Sequence, residues 1–205
     1  LEIRYGDPQM LFRLIELTAR REGFGAVLAE GNAALAERAG APELSVTVNR
    51  LEVPMHDPRA YVGMAVTYAL SPRGACHMEG NMYDLDLGQS NLEAVGLVAG
   101  DRHENSVEKG RTAARLQAWR NLSNSLTLCE FENPPMPLLV GAINTATGWN
   151  LEAMDLVTLG KNIVNIKRLL NFKLGMTRLD DRLPELLLKP FEKGGSAGIV
   201  PDLPT

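Results

Sequence analysis

Apolar residues recur along most of this chain at the three-to-four-residue spacing of a helix face. Asp7 followed by Pro8 is a helix-start signature, with Met10, Leu11, Leu14, Ile15 and Thr18 behind it. Arg20, Arg21 and Gly23 form the stop. A second helix is predicted over 24–39, with Phe24, Val27, Leu28, Gly31 and Leu35 as its buried stripe. Residues 45–53 alternate through Val46 and Val48 and predict one short strand. Asp57-Pro58 repeats the cap-plus-proline signature, so a helix should run through Met64 and Val66 to Leu70, broken by residues 71–77.

From there to Asp101 the chain is rich in glycine and polar residues and has no period, which predicts a long functional or partly disordered loop. A major helix begins at Asn105 and carries Ala114, Trp119, Leu122 and Leu126, with Cys129 just past its end. Residues 132–137 make a stiff proline turn before a helix over 138–146 that ends at Gly148. Asn150 should cap the longest helix, apolar at Leu156, Val157, Leu159, Ile163, Val164, Ile166, Leu170 and Leu174 and ended by Gly175. So wide an apolar surface predicts a central helix. Beyond Arg178, prolines and glycines predict an irregular wrapping tail. The fold expected from pattern alone is mainly α and multihelical, with little or no sheet.

Composition narrows the function. The 205 residues are 45% hydrophobic and 22% charged, as in ordinary globular domains. A net charge of -4 and 5% aromatics disfavour a nucleic-acid partner. No apolar run reaches the ~20 residues of a membrane span, and no signal-peptide pattern is visible. With 2 Cys, a disulfide framework is not expected and a reducing, cytoplasmic setting is. The chain begins at Leu1 rather than Met and ends without a terminal cap, as expected of a piece of a longer protein.

The chemistry concentrates at Arg73-Gly74-Ala75-Cys76-His77, which places a guanidinium, a thiol and an imidazole within one loop. Arg suits bidentate phosphate contact, and an imidazole near its ordinary pKa suits proton transfer. The plainer reading is a helix-ending turn with a surface Arg and a buried Cys. Cys129 alone reads as a small buried hydrophobe, because a cluster or zinc site needs further ligands. His56 reads as a turn residue, His103 as part of a solvated face, and Arg111, Arg115 and Arg120 as a basic helix flank. No nucleophile–base pair, phosphate loop or complete metal site is present in the sequence.

A collinear series of motifs resembles the tungsten-containing aldehyde:ferredoxin oxidoreductase family. It includes Arg21-Glu22-Gly23-Phe24-Gly25, Glu52-Val53-Pro54-Met55-His56-Asp57-Pro58-Arg59, the Arg73–His77 loop, Leu128-Cys129, Leu170-Asn171-Phe172-Lys173-Leu174-Gly175 and Asp180-Asp181-Arg182-Leu183-Pro184. The resemblance implies the C-terminal helical part of such an enzyme: residues 1–56 as the end of the middle helical domain and 57–205 as the C-terminal helical domain. A β-rich N-terminal cofactor domain would be the missing partner.

It further implies a tungsten (or molybdenum) bis-pterin and one [4Fe–4S] cluster in the full-length protein, with none retained by this chain alone, which would then be inactive. The implied reaction takes a small-molecule aldehyde to a carboxylic acid and passes electrons to ferredoxin. By this resemblance His77 handles protons, Arg73 and Asn124 contact the pterin, and Cys129 is the fourth cluster ligand. Asn124 and Thr127 depart from the family's Asp-x-x-Gly-x-Cys turn, and Thr127 opposes a positive φ there. Glu79 stands where some members place a pterin-contacting lysine, so an anion there is expected to oppose a phosphate. A homodimer is compatible with the resemblance. Phe12 stands where one member has an iron-binding histidine, so a bridging iron is not expected. The alternatives are the same cofactor acting on another substrate, such as an aryl thioester, or a non-catalytic helical scaffold.

Overall fold

The structure is a computed structural model that describes residues 3–90, 92–132 and 134–203. Leu1, Asn133 of the proline turn, Pro204 and Thr205, which entered the sequence reading, lie outside the described residues. The mainly-α expectation holds: the chain is 53% helical, and strand is confined to one minimal hairpin among the described residues.

Helix α1 spans Pro8–Arg20, and the Asp7 carboxylate accepts from the amides of Gln9 at 3.0 Å and Met10 at 3.2 Å. This neutralises donors that a helix start leaves open. Only Leu17 of α1 is buried, while Leu11, Phe12 and Ile15 are exposed. The single helix expected over 24–39 is instead a pair, α2 (Phe24–Leu28) and α3 (Asn32–Arg38). The chain breaks at Gly31, whose φ of +88° is incompatible with a helix, and Glu52 Oε1 receives the freed Asn32 amide at 2.9 Å.

The extended segment is a hairpin rather than one strand. β1 (Thr47–Val48) pairs antiparallel with β2 (Leu51–Glu52), in the register Thr47 to Glu52 and Val48 to Leu51. Asn49 and Arg50, at φ 51° and 64°, supply the left-handed pair that a two-residue hairpin turn needs.

Asp57 does not cap the next helix. It accepts the Arg59 amide at 2.8 Å and grips the Arg59 guanidinium through both oxygens, at 2.9 and 2.7 Å. Burial pushes the Asp57 carboxyl up, but these bonds and the Arg59 charge outweigh it and hold it below the usual range. Arg59 also donates to the carbonyls of Leu186 and Lys189 and sits 3.7 Å over the Phe191 ring, which ties the tail to the body. Helix α4 therefore starts later, as Gly63–Leu70, and is buried from Gly63 to Ala69.

Residues 73–101 are not the unpacked loop their composition predicts. They form helical turns at His77–Glu79, α5 (Met82–Asp86) and Glu93–Val95. Ala75, Met82, Leu85, Leu92, Val95 and Leu97 are part of the hydrophobic core. Helix α6 (Val107–Ser125) packs against α4 and this segment, starting from Ser106, whose Oγ accepts the Lys109 amide at 3.0 Å. The stripe named from sequence holds at Trp119 and Leu122, whereas Ala114 is exposed.

Helix α7 (Met136–Thr147) ends at Gly148 as expected. Helix α8 (Ala153–Lys173) is capped by Glu152 with Asp155 in a reciprocal capping box, not by Asn150. Helix α8 crosses α6 at Gly160, where any Cβ would lie 2.0 Å from the Ala118 carbonyl oxygen. Leu156 and Val157 are buried at that crossing. The expectation of a central helix fails beyond it: Ile166, Leu169 and Leu170 are 67%, 61% and 55% exposed. Among the described residues no helix is long and apolar enough to cross a membrane.

Candidate functional site

The Arg73–His77 loop is held from several sides. Ser71 ends α4 with extended backbone, and its Oγ accepts the Arg73 amide at 3.3 Å. Gly74 has φ +96°, and a Cβ there would lie 2.4 Å from the Val48 carbonyl oxygen, so the β hairpin can close on the loop only over a glycine. From the end of α8, Asn171 Nδ2 donates to the Pro72 carbonyl. Asn171 belongs to one of the motifs that carried the resemblance, and this bond is its structural role.

On this rigid backbone Arg73 Nε lies 3.1 Å from Glu79 Oε1, and Nη2 donates to Cys76 Sγ at 3.0 Å. Glu79 is 2% exposed, whereas the Arg73 side chain is 55% exposed. Glu79 thus faces an arginine from inside the protein.

His77 stands beside two rings. Its centroid is 5.0 Å from that of His56 and 6.4 Å from that of Tyr83, and His56 stacks on Tyr83 at 3.9 Å with planes 7° apart. The His56 carbonyl accepts the Tyr68 hydroxyl at 2.9 Å. His56 is therefore a wall of the site rather than only a turn residue. Burial, then the charges of His56 and Arg73, pull the His77 imidazole below its ordinary pKa, against the opposing pull of Asp84. The ring is biased toward its neutral, proton-accepting form. Burial, aided by Asp84 and Glu130 and opposed by Arg120, pushes the Tyr83 phenol up to about 12.

The second part of the site follows α6. Leu126 caps the helix, the Thr127 amide donates to Asn124 O at 3.1 Å, and the Leu128 amide donates to Ser123 O at 3.1 Å. These paired bonds are a Schellman ending, which requires a left-handed residue at its crossing point. Thr127 fills that position at φ +58°, so the threonine adopts, under strain, the positive φ that its side chain opposes. Its hydroxyl donates to Leu126 O at 2.7 Å. Asn124 is half-buried with its carbonyl engaged in the turn. Cys129 follows as an exposed free thiol, not a buried hydrophobe, and Cys76 is half-buried and free.

Arg120 was read as part of a solvated flank, but it is 5% exposed, and its Nη2 lies 3.3 Å from Glu130 Oε1. Desolvation raises the Glu130 pKa and the Arg120 charge opposes that. The spacing of Leu116, Trp119, Arg120 and Ser123 on one helix face is the signal that could have placed Arg120 inside. Arg111 does remain exposed, paired with Glu108, and Arg115 Nη1 donates to Gly96 O at 3.0 Å. His103 bonds Ser196 Oγ at 3.0 Å, which makes it a tether for the tail.

A cleft of about 210 Å³ lies where the two parts meet, lined by Asn81, Asp84, Trp119, Arg120, Glu130 and Phe131. Asp84, on α5, and Glu130, beyond the turn after α6, thus face one cleft. Sequence reasoning had not singled out Tyr83, Asp84 or Glu130. Among the described residues no group of three or more His, Cys, Asp and Glu side chains could hold a metal ion.

The family model for domains 2 and 3 of aldehyde ferredoxin oxidoreductase matches residues 1–205. The chain is 36% identical over 203 residues to the tungsten-containing aldehyde ferredoxin oxidoreductase of Pyrococcus furiosus, covering 95% of this chain and 32% of that protein. It is 33% identical over 205 residues to the enzyme of the same name from Pyrococcus abyssi, and 32% over 205 residues to that from Thermococcus kodakarensis. In each, the match covers 96% of this chain and 32% of the relative. The chain thus spans about a third of the length of these relatives.

Proposed function

The chain belongs to the aldehyde ferredoxin oxidoreductase family, and we propose that it is the helical part of a tungsten-pterin enzyme that oxidises an aldehyde to a carboxylic acid and passes electrons through a [4Fe–4S] cluster to ferredoxin. Residues 1–56 would close the middle domain and 57–205 form the C-terminal one, with a cofactor domain of the same protein facing them. The observation that carries this reading is that a family member presents a half-exposed Arg73, a neutral-biased His77 and an exposed Cys129 thiol.

These residues fit the implied groups. The guanidinium matches a phosphate oxyanion by charge and by its forked donors. The thiol is accessible as one of the several ligands a cluster needs, and this chain holds no complete set among the described residues. The Schellman turn retains the backbone conformation that the family's glycine would adopt, and Asn124 keeps an acceptor oxygen beside it. When bound, the metal–pterin group supplies the two-electron redox chemistry. Aldehyde plus water gives carboxylate, three protons and two electrons. His77, neutral and beside His56, is placed to accept one of those protons. Arg73 holds the cofactor by its phosphate, and Cys129 anchors the cluster.

The test is made in the full-length protein. His77→Ala should leave tungsten and iron in place and lower turnover by about 10²- to 10⁴-fold, the range of a general acid–base group. Cys129→Ala should lose or convert the cluster while tungsten remains. An intact cluster with native iron content in Cys129→Ala would make the thiol structural and overturn its assignment. The 205-residue chain by itself should be colourless and inactive, which an anaerobic visible spectrum with metal analysis checks.

A further inference from the structure

We infer that Glu79 is a positioning residue that converts Arg73 from a mobile surface arginine into a fixed clamp for a phosphate oxyanion. The inference rests on the reading of Arg73 as a cofactor contact and adds the device that makes the contact specific. Three observations carry it.

First, Glu79 is 2% exposed, and a carboxylate is kept inside a protein only where a partner meets it. That partner is Arg73, whose Nε lies 3.1 Å from Oε1. Second, Arg73 is held along one side only. Nε pairs with Glu79 Oε1 at 3.1 Å and Nη2 donates to Cys76 Sγ at 3.0 Å, so among the described residues its contacts are confined to these two nitrogens. The end-on fork, which binds oxyanions bidentately, keeps donors without a partner among the described residues. Third, the backbone beneath is already held at three points, with Asn171 on the Pro72 carbonyl, Ser71 Oγ on the Arg73 amide and Gly74 pressed to Val48. Glu79 supplies the remaining constraint, on the side chain. Holding a flexible side chain in its bound geometry before the ligand arrives removes an entropy loss from binding.

The experiment compares pterin release from the purified full-length holoenzyme at fixed temperature, read by the fluorescence of oxidised pterin freed from the protein. Arg73→Gln should speed release about tenfold or more. Glu79→Gln, which keeps the shape and removes the charge, should speed it comparably. The double variant should be no faster than Arg73→Gln alone, because Glu79 acts only through Arg73. Glu79→Asp, which keeps the charge but retracts it by one methylene, should fall between Glu79→Gln and the unaltered protein and serves if Glu79→Gln does not fold.

Unaltered release in Glu79→Gln or Glu79→Asp, with Arg73→Gln fast, overturns the inference and leaves the role of Arg73 standing. A double variant whose effect is the product of the two single effects also overturns it, since Glu79 would then act independently. Unaltered release in Arg73→Gln removes the cofactor role of Arg73 itself, and the inference with it.

Discussion

Residues 73–101 and the second half of α8 solve the problem of burial in opposite ways. The first is built of short turns, glycines and charges, yet Met82, Leu85, Val95 and Leu97 within it are almost fully buried. The second is an unbroken helix, yet Ile166, Leu169, Leu170 and Phe172 face outward. A helix satisfies its own backbone hydrogen bonds and can stand with an apolar side uncovered. Irregular chain must find its partners elsewhere.

The partners of the first region are specific. Lys109 Nζ meets Asp86 Oδ1 at 2.8 Å with both side chains buried, and Asn81 Nδ2 donates to Asp84 at 2.6 Å. Thr67 Oγ1 donates to the Gly80 carbonyl at 2.8 Å, and Gln117 in turn donates to the Thr67 carbonyl at 3.0 Å. The site lies in the region that depends on such bonds, so its geometry is only as firm as they are.

The largest expected effect is the loss of a buried charge partner there. Lys109→Met leaves the Asp86 carboxylate alone in the interior and should cost about 3–5 kcal/mol in urea unfolding. A change within 1 kcal/mol would mean that the pair does not hold the segment.

Next comes the direct contrast between the regions. Met82→Ala opens a cavity in the core and should cost about 2–5 kcal/mol. Ile166→Ala in this chain should stay within about 0.5 kcal/mol, as surface substitutions do. Equal costs for the two would erase the distinction.

Smaller still is the strain at the turn after α6. Thr127→Gly relieves a left-handed threonine at the cost of a more flexible unfolded chain. It should raise stability by about 0.5–1 kcal/mol in the same assay. A loss of stability would show that the threonine hydroxyl outweighs the strain.

The smallest effect is electrostatic. His77 should titrate below the ordinary histidine value of about 6.5 in an NMR pH series, and His56→Gln should move it upward. Because the folded pKa is the lower one, the unfolded chain takes up its proton first. Stability should then fall as pH drops from about 6.5 through the folded His77 value, and change no further from this group below that. The partial exposure of the ring keeps the stability change small. A His77 midpoint above 6.5 would contradict the burial of its ring.

Much of the helical framework was legible in the sequence because its signals are local. Asp7-Pro8 and Gly148 act within one helical turn, and their elements begin or end where they predict. The site was legible only in outline. Arg73, Cys76 and His77 are close in sequence and so necessarily close in space, whereas Tyr83, Asp84, Arg120 and Glu130 come from separate elements. No local pattern relates Arg120 on α6 to Glu130 beyond the turn, or His56 before α4 to Tyr83 on α5.

The sequence by itself determined that this protein is mainly helical, where most of its helices lie, which loop gathers an arginine, a thiol and an imidazole, and through its ordered motifs the family to which it belongs. The tertiary structure decided which interior polar residues meet which partners. Glu79 and the Asp86–Lys109 pair carry the same side chains as any solvated charge, and the way the chain folds sets the oppositely charged neighbour that offsets their desolvation. It also decided that Thr127 would take a conformation its own sterics oppose. The hydrogen bonds that close α6 and the packing of Leu128 against the core hold it there against a local cost of about 1–2 kcal/mol.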